Sequence, residues 1–159
     1  MIKTWYIHGR SAFLLIAGFG VVAGSPAYAI KNGTYSGQTA DGHTITFQVK
    51  TDPNTGKPEL GSLLVNFTTQ CPQTADSYSA GYSWGFADGV DFVNGKVTWT
   101  YSPTPLFIYT RNTIAFTSTT AANGSTQFRV AALIPGTPPT KAEVCTSPKQ
   151  AFTATYQGP

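Results

Sequence analysis

Short runs in which apolar and polar residues alternate recur along most of the chain. In residues 44–49 every second position is apolar, which is the period-2 signature of a β-strand with one buried face, and residues 63–67 repeat it. Residues 52–58 between the two runs are turn formers, two of them proline, that cannot continue a central strand. These segments predict a hairpin with a long tip.

Two Asn-Gly pairs lie between further alternating runs. Asn94-Gly95 predicts a type I′ turn, because both central residues of that turn need positive φ angles. A second hairpin is expected between strands at 113–118 and 127–134, with its turn near Asn123-Gly124. A last strand is expected at residues 151–157.

The whole pattern predicts an all-β fold. Threonine, glycine and aromatic residues dominate beyond the N-terminal segment, and no helical window competes. We expect an antiparallel β-sandwich of about eight to ten short strands. A closed barrel is the alternative, since sequence does not reveal strand order. The strands are expected near Thr34, Ile45, Val65, Trp84, Phe92, Trp99, Phe107, Phe116, Val130 and Phe152.

The N-terminus carries the features of an export signal. A basic start with Lys3 and Arg10 precedes an apolar run at residues 12–23 and the small-residue pattern Ala27-Tyr28-Ala29. A transmembrane helix needs about 20 apolar residues, so this run is too short for stable membrane insertion. We expect residues 1–29 to be a cleaved signal peptide, with an uncleaved anchor as the alternative. Residues 30–159 then form one secreted or periplasmic domain.

Charge narrows the choice of partner. All seven acidic residues but only eight of the ten basic residues fall in 30–159, so the expected mature domain is nearly neutral. Its charges are scattered, whereas a nucleic-acid site or a polybasic membrane patch needs clustered Lys and Arg. A nucleic-acid partner is therefore not expected.

Cys71 and Cys145 are the two cysteines of the chain. In an oxidising compartment such a pair predicts a disulfide, and the bridge is expected to be structural. A zinc site is the alternative, but His43 is the one histidine beyond the signal segment, which falls short of four ligands. No cofactor is predicted.

The expected mature chain opens with Asn32-Gly33-Thr34-Tyr35-Ser36-Gly37-Gln38-Thr39, which contains a Gly-x-Tyr-x-Gly-x-Thr run. This opening resembles that of many small secreted bacterial β-sandwich domains of mostly unassigned function. The resemblance implies one Cys after the third strand and another just before a final aromatic-containing strand, which Cys71 and Cys145 fit. Phe152 stands where a Trp is more usual. The resemblance implies fold and compartment and carries over no catalytic residue.

No group of residues predicts catalysis. His43 lies in a turn beside Asp41, and a nucleophilic triad would need it to meet a Ser and an acid in space. Paired carboxylates could hydrolyse glycosides, but the candidates lie in predicted loops or strand edges, where we expect them to be solvated. These are Glu59, Asp76, Asp88, Asp91 and Glu143. We therefore expect no enzyme.

Metal binding has one weak candidate. Asp88 and Asp91 with Asn94 offer hard oxygen ligands of the kind that Ca²⁺ takes, but their spacing matches no defined calcium loop. A turn with solvated carboxylates is the preferred interpretation, and no metal is predicted.

Aromatic residues are the most distinctive feature of the chain. Tyr78, Tyr82, Trp84 and Phe86 fall on one side of a predicted strand whose other side is made of Ser and Gly. Such spacing builds either a core face or an exposed platform on which sugar rings stack. The core is the preferred interpretation for Trp84 and Trp99. Tyr109, in a stretch that follows two prolines, is expected to be irregular and freer to be exposed.

These observations lead to a non-enzymatic secreted or periplasmic β-sandwich that acts as a binding or surface-associated module, its ligand unknown. One alternative is a carbohydrate-binding module with a glycan partner, using Tyr78, Tyr82, Trp84 and Tyr109. Another is a structural or assembly subunit that pairs with another protein through an edge strand.

Overall fold

A computed structural model describes residues 29–102, 108–134 and 142–159, and these residues form nine antiparallel strands and no helix. The strands are β1 (Gly33–Thr39), β2 (Thr44–Thr51), β3 (Pro58–Gln70), β4 (Ser77–Asp91), β5 (Lys96–Tyr101), β6 (Ile108–Phe116), β7 (Ala121–Leu133), β8 (Ala142–Thr146) and β9 (Gln150–Gly158). This confirms the predicted all-β antiparallel fold and its number of strands.

Some predicted features lie outside the described residues. They are the signal peptide except for Ala29, and the strand segment near Phe107. Within the described residues, no helix has the length and apolar character needed to cross a membrane.

The strands follow the order β4-β3-β2-β1-β9-β7-β6-β5, and β8 lies off this path between β7 and β3. β8 pairs with β7 over five residues and meets β3 at one residue pair, Gln70 with Thr146. The sheet folds so that β3 and β7 face each other, and the rings of Phe67 and Phe128 stack with centroids 3.8 Å apart. In the described residues, β4 and β5 are each paired with one neighbour and are the edge strands.

Tyr35 of β1 organises the aromatic part of the core. Its fully buried ring stacks on Phe47 at 5.1 Å and meets Phe116 and Tyr156 edge-on at 5.1 and 5.4 Å. The phenol oxygen lies 2.9 Å from the carbonyl oxygen of Lys31, and burial raises its pKa. The large side chains of β1 and β2 therefore share one inner face, as the alternation in residues 44–49 predicted for β2.

The two Asn-Gly pairs have different roles. Asn94 and Gly95 have φ angles of 52° and 72°, and Val93 and Lys96 exchange both backbone hydrogen bonds, so the predicted turn is confirmed. The turn expected near Asn123-Gly124 is wrong, because both residues lie inside β7. The chain turns instead at residues 117–120, where the N–H of Thr117 donates to the Ala121 carbonyl.

The predicted disulfide is confirmed. Cys71 directly follows β3, Cys145 lies in β8, and both side chains are buried. The bridge was expected at the entry to the last strand. The structure inserts β8 as a separate short strand before β9, so the bridge ties β3 to β8.

Candidate functional site

The aromatic residues of β4 lie on its inner face. Tyr82 pairs with Val65 and Trp84 with Leu63, and directly opposed residues of antiparallel strands point to the same side of the sheet. Both β3 partners are fully buried. The predicted division of β4 into an aromatic face and a Ser/Gly face is therefore confirmed.

Rings of β4 and β5 meet across the open side of the sandwich. The ring centroid of Trp84 lies 4.7 Å from that of Trp99 and 6.3 Å from that of Tyr101, and the Phe86 centroid is 5.1 Å from that of Trp99. We call this group the aromatic seam, and it consists of Tyr82, Trp84, Phe86, Trp99 and Tyr101. No backbone ladder joins β4 to β5 in the part of the chain that the structure describes. The seam therefore closes the core where hydrogen bonds do not.

The four predicted ligand-binding aromatics do not form one surface. Tyr82 and Trp84 are half-buried in the seam, whereas Tyr78 on the same face is 43% exposed. Tyr109 was expected in an irregular stretch. It lies instead in β6, opposite Arg129, whose guanidinium sits 5.4 Å from the centre of its ring. Because its neighbour Thr110 is fully buried and successive side chains of a strand point to opposite faces, Tyr109 lies on the outer face of β6. A single coplanar platform is absent among these four residues.

His43 does not have the geometry of a catalytic base. Its Nε2 lies 2.9 Å from Thr68 Oγ1 and 3.6 Å from Asp41 Oδ2. In a nucleophilic triad the acid and the nucleophile contact different ring nitrogens, whereas here both contacts fall on the same one. Thr68 Oγ1 also lies 2.8 Å from Ser79 Oγ. The histidine therefore belongs to a polar chain that links the turn between β1 and β2 to β3 and β4 on the outer face.

Two carboxylates expected to be solvated are buried. Glu143 is 2% exposed and accepts hydrogen bonds from Thr74 Oγ1 at 2.6 Å and from the Gln73 N–H at 2.8 Å. The hydrogen bond from Thr74 is the main reason why the pKa of Glu143 is lowered, with the Gln73 N–H adding to it. Glu59 is 3% exposed and pairs with Lys50 Nζ at 3.1 Å. Each carboxylate is therefore held by dedicated partners.

The predicted calcium ligands are separated. Asn94 lies in the tight turn, while Asp91 comes together with Asp52 and Glu59, whose carboxylate oxygens all lie within 4.8 Å of one another. Asp88 lines the same surface depression. Lys50 already places its ammonium group against this acidic group and donates to the Ala87 carbonyl at 3.1 Å. The chain itself therefore supplies a cation, Lys50, to one carboxylate of this group, that of Glu59.

The open edge of β4 has backbone groups that no other strand uses in the described part of the chain. The Cys71 N–H donates to the Asp76 carbonyl, so the opposed residues 71 and 76 form a hydrogen-bonded pair. Hydrogen-bonded and non-hydrogen-bonded pairs alternate along an antiparallel ladder, so every even-numbered residue of β4 up to Trp84 bonds to β3. The odd-numbered residues then direct both N–H and C=O away from β3. They are Ser77, Ser79, Gly81, Ser83 and Gly85, and all of them are exposed.

The two edge strands differ in length and in charge. Residues 77–87 of β4 contain no charged residue and no proline, and residues 77–85 pair with β3 in one continuous register. β5 has only six residues and begins with Lys96. Natural edge strands are commonly protected by shortness, lysine, proline or bulges. By these criteria β5 is protected, whereas β4 is protected only from Phe86 onward, where its register shifts.

No protein-family model, curated protein or solved structure matches the chain. The residues of the chain itself must therefore carry any argument about function.

The sequence suggested pairing through an edge strand without locating that edge, and it placed the two buried carboxylates, Glu59 and Glu143, in solvent. The edge had a readable signal, the uncharged run of Ser, Gly and aromatic residues from 77 to 87. The pairing of Lys50 with Glu59 had none, because it follows from the register in which β2 meets β3.

Proposed function

We propose that the chain is an exported, non-enzymatic binding module that takes up an extended strand of a partner protein along the open edge of β4. The observation that carries this proposal is the long, uncharged edge at residues 77–85, whose five odd-numbered residues have backbone groups free to pair. Strand addition of this kind draws affinity from main-chain hydrogen bonds and specificity from alternate side chains.

The side chains on the two faces of β4 indicate what such a strand would carry. Toward the inner side, an added strand would lie beside Tyr78, Tyr82 and Trp84, so apolar or aromatic residues at alternate positions would extend the aromatic seam. Toward the outer side it would meet Ser and Gly, which leave a flat surface. The fitting partner is an alternating segment with few charges.

Proline substitution tests the proposal with a matched control. Ser83→Pro removes an N–H that faces the open edge and leaves the ladder to β3 intact, since Ser83 makes no bond to that strand. Thr98→Pro removes the equivalent N–H of β5. The Phe116 N–H donates to the Gly95 carbonyl, so odd-numbered residues of β5 bond to β6 and the backbone groups of even-numbered ones point to the open edge. Circular dichroism of both variants is the check that each of them folds.

The probe is a panel of fluorescein-labelled nine-residue peptides that alternate serine with aromatic residues and end in two lysines for solubility. Anisotropy is expected to rise with the wild-type protein and with Thr98→Pro, and to stay flat with Ser83→Pro. Equal binding by both proline variants, or no binding of any peptide at millimolar concentration, would overturn strand addition at β4.

Carbohydrate recognition is the second candidate, favoured by the 39% exposure of Tyr101 beside Trp84. A sugar stacked on these rings would change the fluorescence of Trp84. Titration with soluble polysaccharides is expected to shift the emission of the wild-type protein but not that of Tyr101→Ala. An unchanged spectrum with every glycan would remove this candidate.

Export rests on the sequence features of residues 1–29. The test is N-terminal sequencing of the protein recovered from the periplasm or the medium. It is expected to begin at Ile30, and a recovered protein that begins at Met1 would contradict cleavage.

A further inference from the structure

We propose, building on the function proposed above, that the strand taken up by β4 is β4 of a second copy of this chain, paired antiparallel about a two-fold axis at Gly81. The kind of partner is thereby specified as the protein itself. Four features of the edge carry this inference.

The direction of the backbone hydrogen-bonding groups of β4 limits the registers in which two copies can pair. Only odd-numbered residues of β4 direct backbone groups outward, so each of them must face an odd-numbered residue of the second copy. The two-fold axis must then pass through a residue rather than between residues. The segment with continuous register runs from Ser77 to Gly85, and its midpoint is Gly81. Centring there uses every outward-directed group of the segment.

Side chains match in this register. On the inner face, Tyr78 lies opposite Trp84 of the second copy in a non-hydrogen-bonded pair, the arrangement in which side chains come closest. Tyr78 is the aromatic residue of β4 that its own chain leaves most exposed, so the second copy would cover it. The aromatic seams of the two copies would then become continuous.

Neither the side chains on the outer face of β4 nor their charges oppose pairing with a second copy in this register. Ser79 lies opposite Ser83 of the second copy, and Gly81 meets its own equivalent without a side chain. Because residues 77–87 are uncharged, no like charges oppose each other along the pairing. An acidic or basic partner strand would gain nothing from this edge, whereas a second copy fits it in both chemistry and length.

The other edge limits the assembly to two copies. Pairing through one self-complementary strand is isologous, so it closes once both β4 edges are used. The β5 edges that remain are short and carry Lys96, which disfavours further addition. The expected product is a dimer with one sheet running through both copies.

Charge pairs at Ser79 and Ser83 test both the partner and the register. In S79K/S83K, like charges oppose each other twice across the axis, whereas in S79K/S83E opposite charges do. Both variants lose the contact between Ser79 and Thr68, so they differ from each other only in the side chain at residue 83 and its charge. Sedimentation equilibrium from 1 to about 300 µM is expected to give a dimer dissociation constant about ten-fold higher for S79K/S83K than for S79K/S83E. The wild-type protein is expected to be a dimer at the upper end of this range.

The outcomes separate this inference from the proposed function. A wild-type protein that stays monomeric at 300 µM but binds the alternating peptides through β4 overturns self-pairing and leaves strand addition standing. Equal dissociation constants for the two charge variants overturn the register centred on Gly81. A monomer that also binds no peptide removes both proposals.

Discussion

Three polar side chains form a closed hydrogen-bonded group inside the sandwich. Asn112 Nδ2 donates to Thr110 Oγ1 at 2.9 Å, and Thr126 Oγ1 donates to Asn112 Oδ1 at 2.6 Å, with all three residues buried. A buried polar group costs free energy only when it lacks a partner. The group is therefore tolerated because each member satisfies another.

Thr126→Val should break this group. The substitution keeps the shape of the side chain but leaves the buried amide oxygen of Asn112 without its donor, so we expect the free energy of unfolding to fall by about 1–3 kcal/mol. Urea denaturation measures the change. Thr98→Val on the exposed face of β5 is the matched control and should change stability by less than about 0.5 kcal/mol. Equal effects of the two substitutions would contradict the role of the group.

Glu143 predicts a pH dependence of stability. Its pKa is lower in the folded protein than in the unfolded chain because Thr74 and the Gln73 N–H donate to the carboxylate. As pH falls, the unfolded chain therefore takes up a proton on Glu143 before the folded protein does. The contribution of the Glu143 carboxylate to folding stability is complete well above its unfolded pKa of about 4.3, and it is lost as pH falls from that value through the lower pKa of the folded protein.

The measurement compares thermal unfolding of the wild-type protein and Glu143→Gln at pH 7 and at pH 3. At pH 7 the variant should unfold at a lower temperature, because both carboxylate oxygens of Glu143 accept a hydrogen bond, whereas the amide of glutamine has one acceptor oxygen and one donor nitrogen. At pH 3 the difference should shrink. A difference that stays the same at both pH values would show that the charge of the carboxylate does not contribute.

At the scale of the elements, the two Asn-Gly pairs show what local sequence can and cannot predict. Gly95 is needed for its positive φ, which is a local property of the turn. Gly124 is needed for space, because a Cβ there would lie 2.0 Å from the Thr113 carbonyl oxygen and 2.4 Å from the Phe152 ring. Those neighbours come from β6 and β9, so no local pattern could reveal them.

The same distinction separates the parts of the fold that were predictable from those that were not. The alternation of apolar and polar residues predicted β2, β3 and β9, because a strand with one buried face shows that burial in its own sequence. The burial of Glu59 and the position of Tyr109 depend on which strands pair and in what register. The uncharged run at residues 77–87 can be read from the sequence, but only the strand order shows that β4 is an edge strand, since an edge is defined by a missing neighbour.

Gly95→Ala should weaken the tight turn that precedes β5. Alanine at a φ of 72° costs about 1 kcal/mol, and a Cβ there would meet nothing closer than 3.9 Å, so the cost is conformational. Urea denaturation should show a loss of this size. Asn94→Gly keeps the positive φ accessible and should be close to neutral. A Gly95→Ala variant as stable as the wild-type protein would argue against the type I′ turn.

At the scale of the whole molecule, the disulfide joins parts of the chain that the strand order holds only weakly together. β8 meets β3 at one residue pair, and Cys71 and Cys145 bond next to it, 74 residues apart in sequence. In the chain-entropy model, closing a loop of that length stabilises a protein by about 4 kcal/mol, because the unfolded chain loses freedom. That is a large share of the stability of a small domain.

C71A/C145A should therefore lower the free energy of unfolding by about 4 kcal/mol while the native strands stay in place. The urea m-value should rise, because an unfolded chain without the cross-link exposes more surface. Wild-type protein incubated with a thiol reductant but no denaturant is the control. It should keep its stability over hours, because both sulfurs are buried and a thiolate must reach them to react. A loss below about 1 kcal/mol in the variant would mean that the unfolded chain already keeps these two segments close without the bridge, so that the cross-link removes little further freedom.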